Sequence, residues 1–107
     1  MSGMRHQARV TALQALYEID TARHDPEATL LRLLAQKPLV PEAVSFAREL
    51  VRGVLEKVGE IDDAIKRFAP AWPVSQIPPV DRNILRLAIF EILHHNITPV
   101  KVAISEA

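Results

Sequence analysis

The 107-residue chain contains no cysteine, which removes disulfide frameworks and thiolate metal sites from consideration. It has only 3 glycines, too few for a Gly-rich phosphate-binding loop. Aromatic residues make up 5%, which argues against an extended stacking platform for single strands. Neither sign of charge dominates: 13 Lys and Arg oppose 13 Asp and Glu. Any nucleic-acid site must therefore come from where the charges sit, not from their sum. No stretch approaches the roughly 20 apolar residues of a membrane span, and the N-terminus lacks the apolar core of a signal peptide. The sequence reads as that of a soluble, cytoplasmic protein. What it does have is 49% apolar residues, enough for one compact domain.

Those apolar residues recur with helical spacing almost everywhere. The spacing predicts a first helix over about residues 5–23, with Ala8, Ala12, Ala15, Leu16 and Ile19 on one arc. Asp25-Pro26 reads as an N-cap followed by proline at the first helical position. The second helix carries Leu30, Leu31, Leu33 and Leu34 and stops before Pro38. Pro41-Glu42 opens a third helix with the clearest stripe in the chain: Ala47, Leu50, Val51, Val54, Leu55 and Val58. Gly59 is its expected C-cap. Gly53 falls inside this helix, at a cost of about 1 kcal/mol relative to alanine; close approach of a neighbouring helix is the usual reason to tolerate that.

A short helix is predicted over residues 62–69, with Ile61, Ile65 and Phe68 facing inward. Four prolines then fall within residues 70–79, which cannot be a helix interior. Trp72 and Ile77 point to a packed corner, with Trp72 as its core anchor. Asp81 is expected to cap a helix running to about His94. Ile84, Leu85, Ala88, Ile89 and Ile92 form one of its faces, while Leu87, Phe90 and Leu93 cover others, the pattern of a central helix. Pro99 opens a last helix, whose apolar face (Val102, Ala103, Ile104, Ala107) is left without a closing partner. The expected fold is thus an all-α helical bundle of two halves, residues 1–69 and 81–107, joined by the corner at 70–80, with the last helices missing.

Few charged residues suggest chemistry. Asp62-Asp63 sit at the expected start of a helix, where capping explains them. His94-His95 are adjacent and so diverge by about 100° on a helix; no carboxylate joins them at ligand spacing, and no metal site is expected. Glu91 and Glu106 lack a partner at defined spacing. No constellation converges as catalysis requires, so no catalytic residue, enzyme activity or cofactor is expected.

The first helix is the exception. Arg5 and Arg9 stand one turn apart with His6 between them, and no acidic residue precedes Glu18. A cation in the first turn of a helix is disfavoured by about 0.3–1 kcal/mol, so two arginines there are either an ordinary solvated helix start or a phosphate contact that uses guanidinium geometry. Tyr17, at the rim of the same helix's apolar arc, is either core edge or interface. Asp81, Arg82 and Arg86 form a charged streak on an otherwise apolar helix, open to a capping role or a protein interface.

The run Arg5-x-x-x-Arg9-x-x-Ala12-Leu13-Gln14-Ala15-Leu16-Tyr17 resembles the opening helix of the NusB family of bacterial transcription antitermination factors. Glu49-Leu50-Val51-Arg52-Gly53-Val54-Leu55, with Ile61, Asp62 and Ile65 beyond it, is similar to that family's third helix and following turn. The most specific part runs from Trp72 through Pro79-Val80-Asp81-Arg82-Asn83-Ile84-Leu85-Arg86-Leu87-Ala88 and on to Pro99-Val100-Lys101-Val102-Ala103-Ile104-Ser105-Glu106-Ala107. The resemblance implies binding of single-stranded boxA RNA of ribosomal RNA leaders. It also implies partnership with NusE, a small-subunit ribosomal protein, in an antitermination complex on RNA polymerase. It assigns RNA contact to Arg5, His6 and Arg9, although His6 and Gln7 stand where relatives often carry further arginines. It assigns the NusE surface to Tyr17, Asp81 and Arg86. The family continues past Glu106-Ala107 with further helical chain. Two other readings stay open: the NusB-like N-terminal domain of an rRNA cytosine methyltransferase, and a helical interaction module without an RNA role.

Overall fold

A computed structural model describes residues 2–95, and among these every regular element is helical. Helix α1 spans Ser2–Ala22, α2 Pro26–Gln36, α3 Pro41–Glu56, α4 Val58–Phe68 and α5 Pro79–Phe90. A short 3₁₀ turn at Val74–Gln76 precedes α5, and a π-type turn at Glu91–His95 follows it. The helix expected from Pro99, and the side chains of His94 and His95, lie outside the described residues.

The helices begin and end where backbone chemistry allows. Arg23 ends α1 by entering the left-handed region (φ 58°), its N–H donating to the Ile19 carbonyl at 3.1 Å. Asp25 caps α2 as expected: its Oδ2 accepts from the Ala28 N–H at 2.9 Å, and Pro26 fills the first helical position. Pro38 lies just beyond the end of α2, as the sequence reading had it.

Three expected boundaries move. Helix α4 starts at Val58, four residues before Asp62, so Gly59 lies in its first turn and is not the C-cap of α3. Asp62 consequently sits within α4 and is not a cap. Helix α5 starts at Pro79, with Pro78 at the N-cap, so Asp81 is an exposed residue of the first turn. In both cases the helix nucleates ahead of the acidic residue. For α5 the cause is Pro79 at the first helical position, whose fixed φ already suits a helix.

The chain resolves into two compact units, Met1–Arg52 and Gly53 onward. In the first, α1 and α2 pack together. Ala8, Ala12, Ala15 and Leu16 are fully or almost fully buried on α1, joined by Leu30 from α2 and by Ala43, Phe46, Ala47 and Leu50 from α3. The alanine stripe lets a neighbour approach α1 closely at no side-chain entropy cost. Salt bridges add polar clasps: Glu27 at the start of α2 meets Arg48 at 2.8 Å and Arg52 at 3.5 Å. Glu18 of α1 meets Arg32 of α2.

In the second unit α4 packs on α5. The buried side chains are Val54, Ile61, Ala64, Ile65, Ile77, Leu87, Ala88 and Phe90. Gly53 has the expected reason for its place: a Cβ there would fall 2.0–2.8 Å from three ring atoms of Phe90. The buried residues of α5 are Asn83, Leu87, Ala88 and Phe90, at helical spacing, and buried Glu91 follows in the next turn. Leu85 and Leu93, expected among its covered faces, are instead exposed. Asn83 is accommodated by donating to the Pro79 carbonyl at 2.8 Å. Two aromatic assignments are corrected. Phe68 is 85% exposed because α4 ends on it, one turn past the covered Ile65 and two past Ile61. Trp72 is about half exposed, and Ile77 anchors the proline corner in its place.

Candidate nucleic-acid interface

The first turns of α1 carry Arg5, His6 and Arg9. His6 and the adjacent Gln7 are exposed, Arg5 is half-buried, and Arg9 is only 7% exposed. The two arginines converge on Phe46 of α3. The Arg5 Cζ lies 4.7 Å from the centre of its ring and the Arg9 Cζ 5.5 Å, both within cation–π range. The helical repeat accounts for the pairing, because positions four apart share a face of α1. Phe46 reaches the same place from the buried stripe of α3, four residues before Leu50. The Arg5 Nη1 is buried without a hydrogen-bond partner.

Three other arginines of this unit are held against acidic side chains. Arg32, Arg48 and Arg52 all pair with carboxylates. The Arg48 guanidinium beside Glu27 holds that carboxyl below its ordinary pKa of 4.5, and Arg32 does the same for Glu18. A cleft of about 250 Å³ is lined by Asp25, Glu27, Arg48 and Arg52 over Leu30 and Val51. Its two acidic and two basic side chains balance, so it offers no net charge to a phosphate.

The residues assigned to a protein partner separate into two kinds. Tyr17 of α1 and Asp81 of α5 are exposed. Arg86 is not: its side chain is 13% exposed and its Nε and Nη2 both donate to Asp62 of α4 at 2.9 Å. That bidentate pair uses the fork geometry of arginine to lock α5 onto α4. Arg82 is turned back toward the proline corner, its Nη1 within 3.3–3.4 Å of the carbonyls of Val74, Ser75 and Ile77. The charged streak Asp81-Arg82-Arg86 therefore presents only Asp81 outward.

Sequence reasoning missed Phe46 and the roles of Asp62 and Glu27. Phe46 had a signal: Ala43, Phe46 or Ala47, and Leu50 extend the apolar stripe of α3 toward its N-terminus, with the one aromatic facing α1. Asp62 and Glu27 had none, because their partners lie 24 and 21 residues away.

Residues 6–107 match the NusB family. The transcription antitermination protein NusB of Dehalococcoides mccartyi (strain CBDB1) is 50% identical over 107 residues, which is all of this chain and 75% of that protein. The solved structure of T. maritima NusB superposes with a TM-score of 0.87 at 34% identity, covering 95% of this chain and 72% of that one. A chain from the crystal structure of the antitermination factors NusB and NusE in complex with dsRNA superposes with a TM-score of 0.89 over 99% of this chain and 79% of that one. At 24% identity that last likeness speaks for the fold alone. This chain belongs to the NusB family.

Proposed function

We propose that this protein is a transcription antitermination factor that binds boxA-type single-stranded RNA together with NusE and joins the antitermination complex on RNA polymerase. It acts by binding and not by catalysis, and it works in the cytoplasm; no helix among the described residues is long and apolar enough to cross a membrane. The observation that carries the RNA part is the pair Arg5 and Arg9 gathered on one ring at the start of α1, in a chain 50% identical to a transcription antitermination protein NusB.

Arg5 and His6 supply the outward contacts and Arg9 adds positive charge behind them. Phosphate contacts of this kind give affinity that falls with salt. Single strands are the expected target because they expose base edges that A-form grooves hide. Tyr17 and Asp81 are the proposed NusE contacts, while Arg86 serves that surface by fixing α5 to α4 through Asp62.

The test is fluorescence anisotropy of a labelled boxA-type RNA titrated with the chain, alone and with NusE, against a scrambled single strand and a duplex. Tighter, sequence-selective binding in the presence of NusE is the expected result. Arg5→Ala should make the salt dependence shallower by about 0.7 in log–log slope, the share of one single-strand phosphate contact. A folded chain that binds none of these RNAs, with or without NusE, would overturn the reading. No observation favours the methyltransferase-domain reading or the purely structural one.

A further inference from the structure

We infer that Phe46 is a positioning residue of the RNA site, its ring holding Arg5 by the face of the guanidinium so that the charge and the N–H edge remain usable by a phosphate. This rests on the RNA-binding reading of the start of α1.

A protein can hold an arginine still in two ways. A carboxylate does so strongly, but it cancels the charge and occupies the N–H donors. That is the solution used for Arg32, Arg48, Arg52 and Arg86, each paired with a glutamate or aspartate. An aromatic ring holds a guanidinium by its face and leaves the in-plane donors and the net positive charge in place. The Arg5 Cζ lies over the Phe46 ring, 4.7 Å from its centre, the placement this second way requires.

A further fact fits a cation prepared for an external anion. The Arg5 Nη1 is buried with no acceptor. An orphaned donor is costly to leave unmade. A phosphate oxygen that draws the guanidinium outward across the ring would supply the missing acceptor. Phe46 itself is 7% exposed, so it acts through the arginines and not by stacking on a base.

The experiment compares the full chain with its Phe46→Leu, Phe46→Trp and Arg5→Ala variants, titrated into labelled boxA-type RNA with NusE at several salt concentrations. Leucine keeps the apolar bulk and removes the quadrupole; tryptophan keeps an aromatic face. Phe46→Leu is expected to bind about 5-fold more weakly, the scale of one cation–π contact, with a salt slope shallower by up to about 0.7. Phe46→Trp should recover most of both, and adding Arg5→Ala to Phe46→Leu should cost little more. If Phe46→Leu keeps the parent slope while Arg5→Ala loses it, Phe46 is core filling only and the inference fails, with the RNA reading intact. If Arg5→Ala itself changes neither affinity nor slope, the reading of the site fails and the inference with it. Should Phe46→Leu not fold, the unmodified protein decides by NMR. Ring-current-shifted Arg5 Hδ and Hε resonances that move on RNA titration support the inference, and resonances at ordinary positions that RNA does not move overturn it.

Discussion

Phe46 and Phe90 are almost equally buried, 7% and 6% exposed, and each is the aromatic anchor of its own compact unit. What faces the two rings is opposite in character. Phe46 carries two guanidinium groups. Phe90 fills the space left by the missing side chain of Gly53. The arginines repeat the contrast. Arg5 and Arg86 both have a partner four residues away in sequence, Arg9 and Arg82, yet Arg86 closes its fork on Asp62 while Arg5 keeps a donor without an acceptor. One unit thus uses an aromatic to concentrate charge, and the other uses an aromatic and an ion pair to fix helices. Burial alone does not distinguish a ring that supports contact from one that supports packing; the chemistry against its face does.

The comparison breaks most sharply at Gly53. Alanine is ordinarily the better helix former by about 1 kcal/mol, but here its Cβ would enter the Phe90 ring. Gly53→Ala should therefore destabilise the protein by about 2–3 kcal/mol in urea unfolding. Phe90→Leu in the same background should recover part of that loss. A neutral or stabilised Gly53→Ala would show that the ring moves aside freely and is no packing anchor.

The arginine contrast is next in size. Arg86→Met removes a half-buried bidentate partner from Asp62 and should cost about 1–2 kcal/mol of stability, with no change in the salt slope of RNA binding. Arg5→Ala should do the reverse. Parallel denaturation and salt-titration series on the two variants check this; an equal stability loss in both would erase the distinction.

The smallest effect concerns acid. Arg48 holds the Glu27 carboxyl below its ordinary value of 4.5. A depressed carboxylate stabilises the fold above that unfolded value, and the contribution is lost as pH falls through the lowered one. Since Glu27 is well exposed (44%), screening limits the effect to below about 0.5 kcal/mol. Denaturation midpoints at pH 7 and pH 3 should therefore fall slightly less for Glu27→Gln than for the parent; an equal fall would mean the pair contributes nothing.

Much of the architecture was legible because helical periodicity and proline act locally. The alanine arc of α1, the Asp25-Pro26 cap and the stripe of α3 all follow from neighbours within one or two turns. Gly53 was legible for the same reason, as a local cost that needs an explanation. The misplacements share a cause. Phe68 and Trp72 are apolar, but burial needs a covering element, and none is encoded in the residues themselves. Asp62 and Asp81 look like caps, but a helix that nucleates earlier turns each into an interior or first-turn residue. At the candidate site, the arginine spacing and the apolar stripe that holds Phe46 were each visible, but their meeting was not, since α1 and α3 come together only in the folded chain.

Gly53 also bears on the order of events in folding. Until Phe90 arrives, a glycine inside α3 is simply a weak link, and local helix formation must proceed across it at a loss. The group that makes good the loss comes from the far end of α5, across all of α4 and the proline corner. The last turn of α3 therefore gains its full stability only when that distant ring docks, which places it with the nonlocal, slower part of the folding reaction.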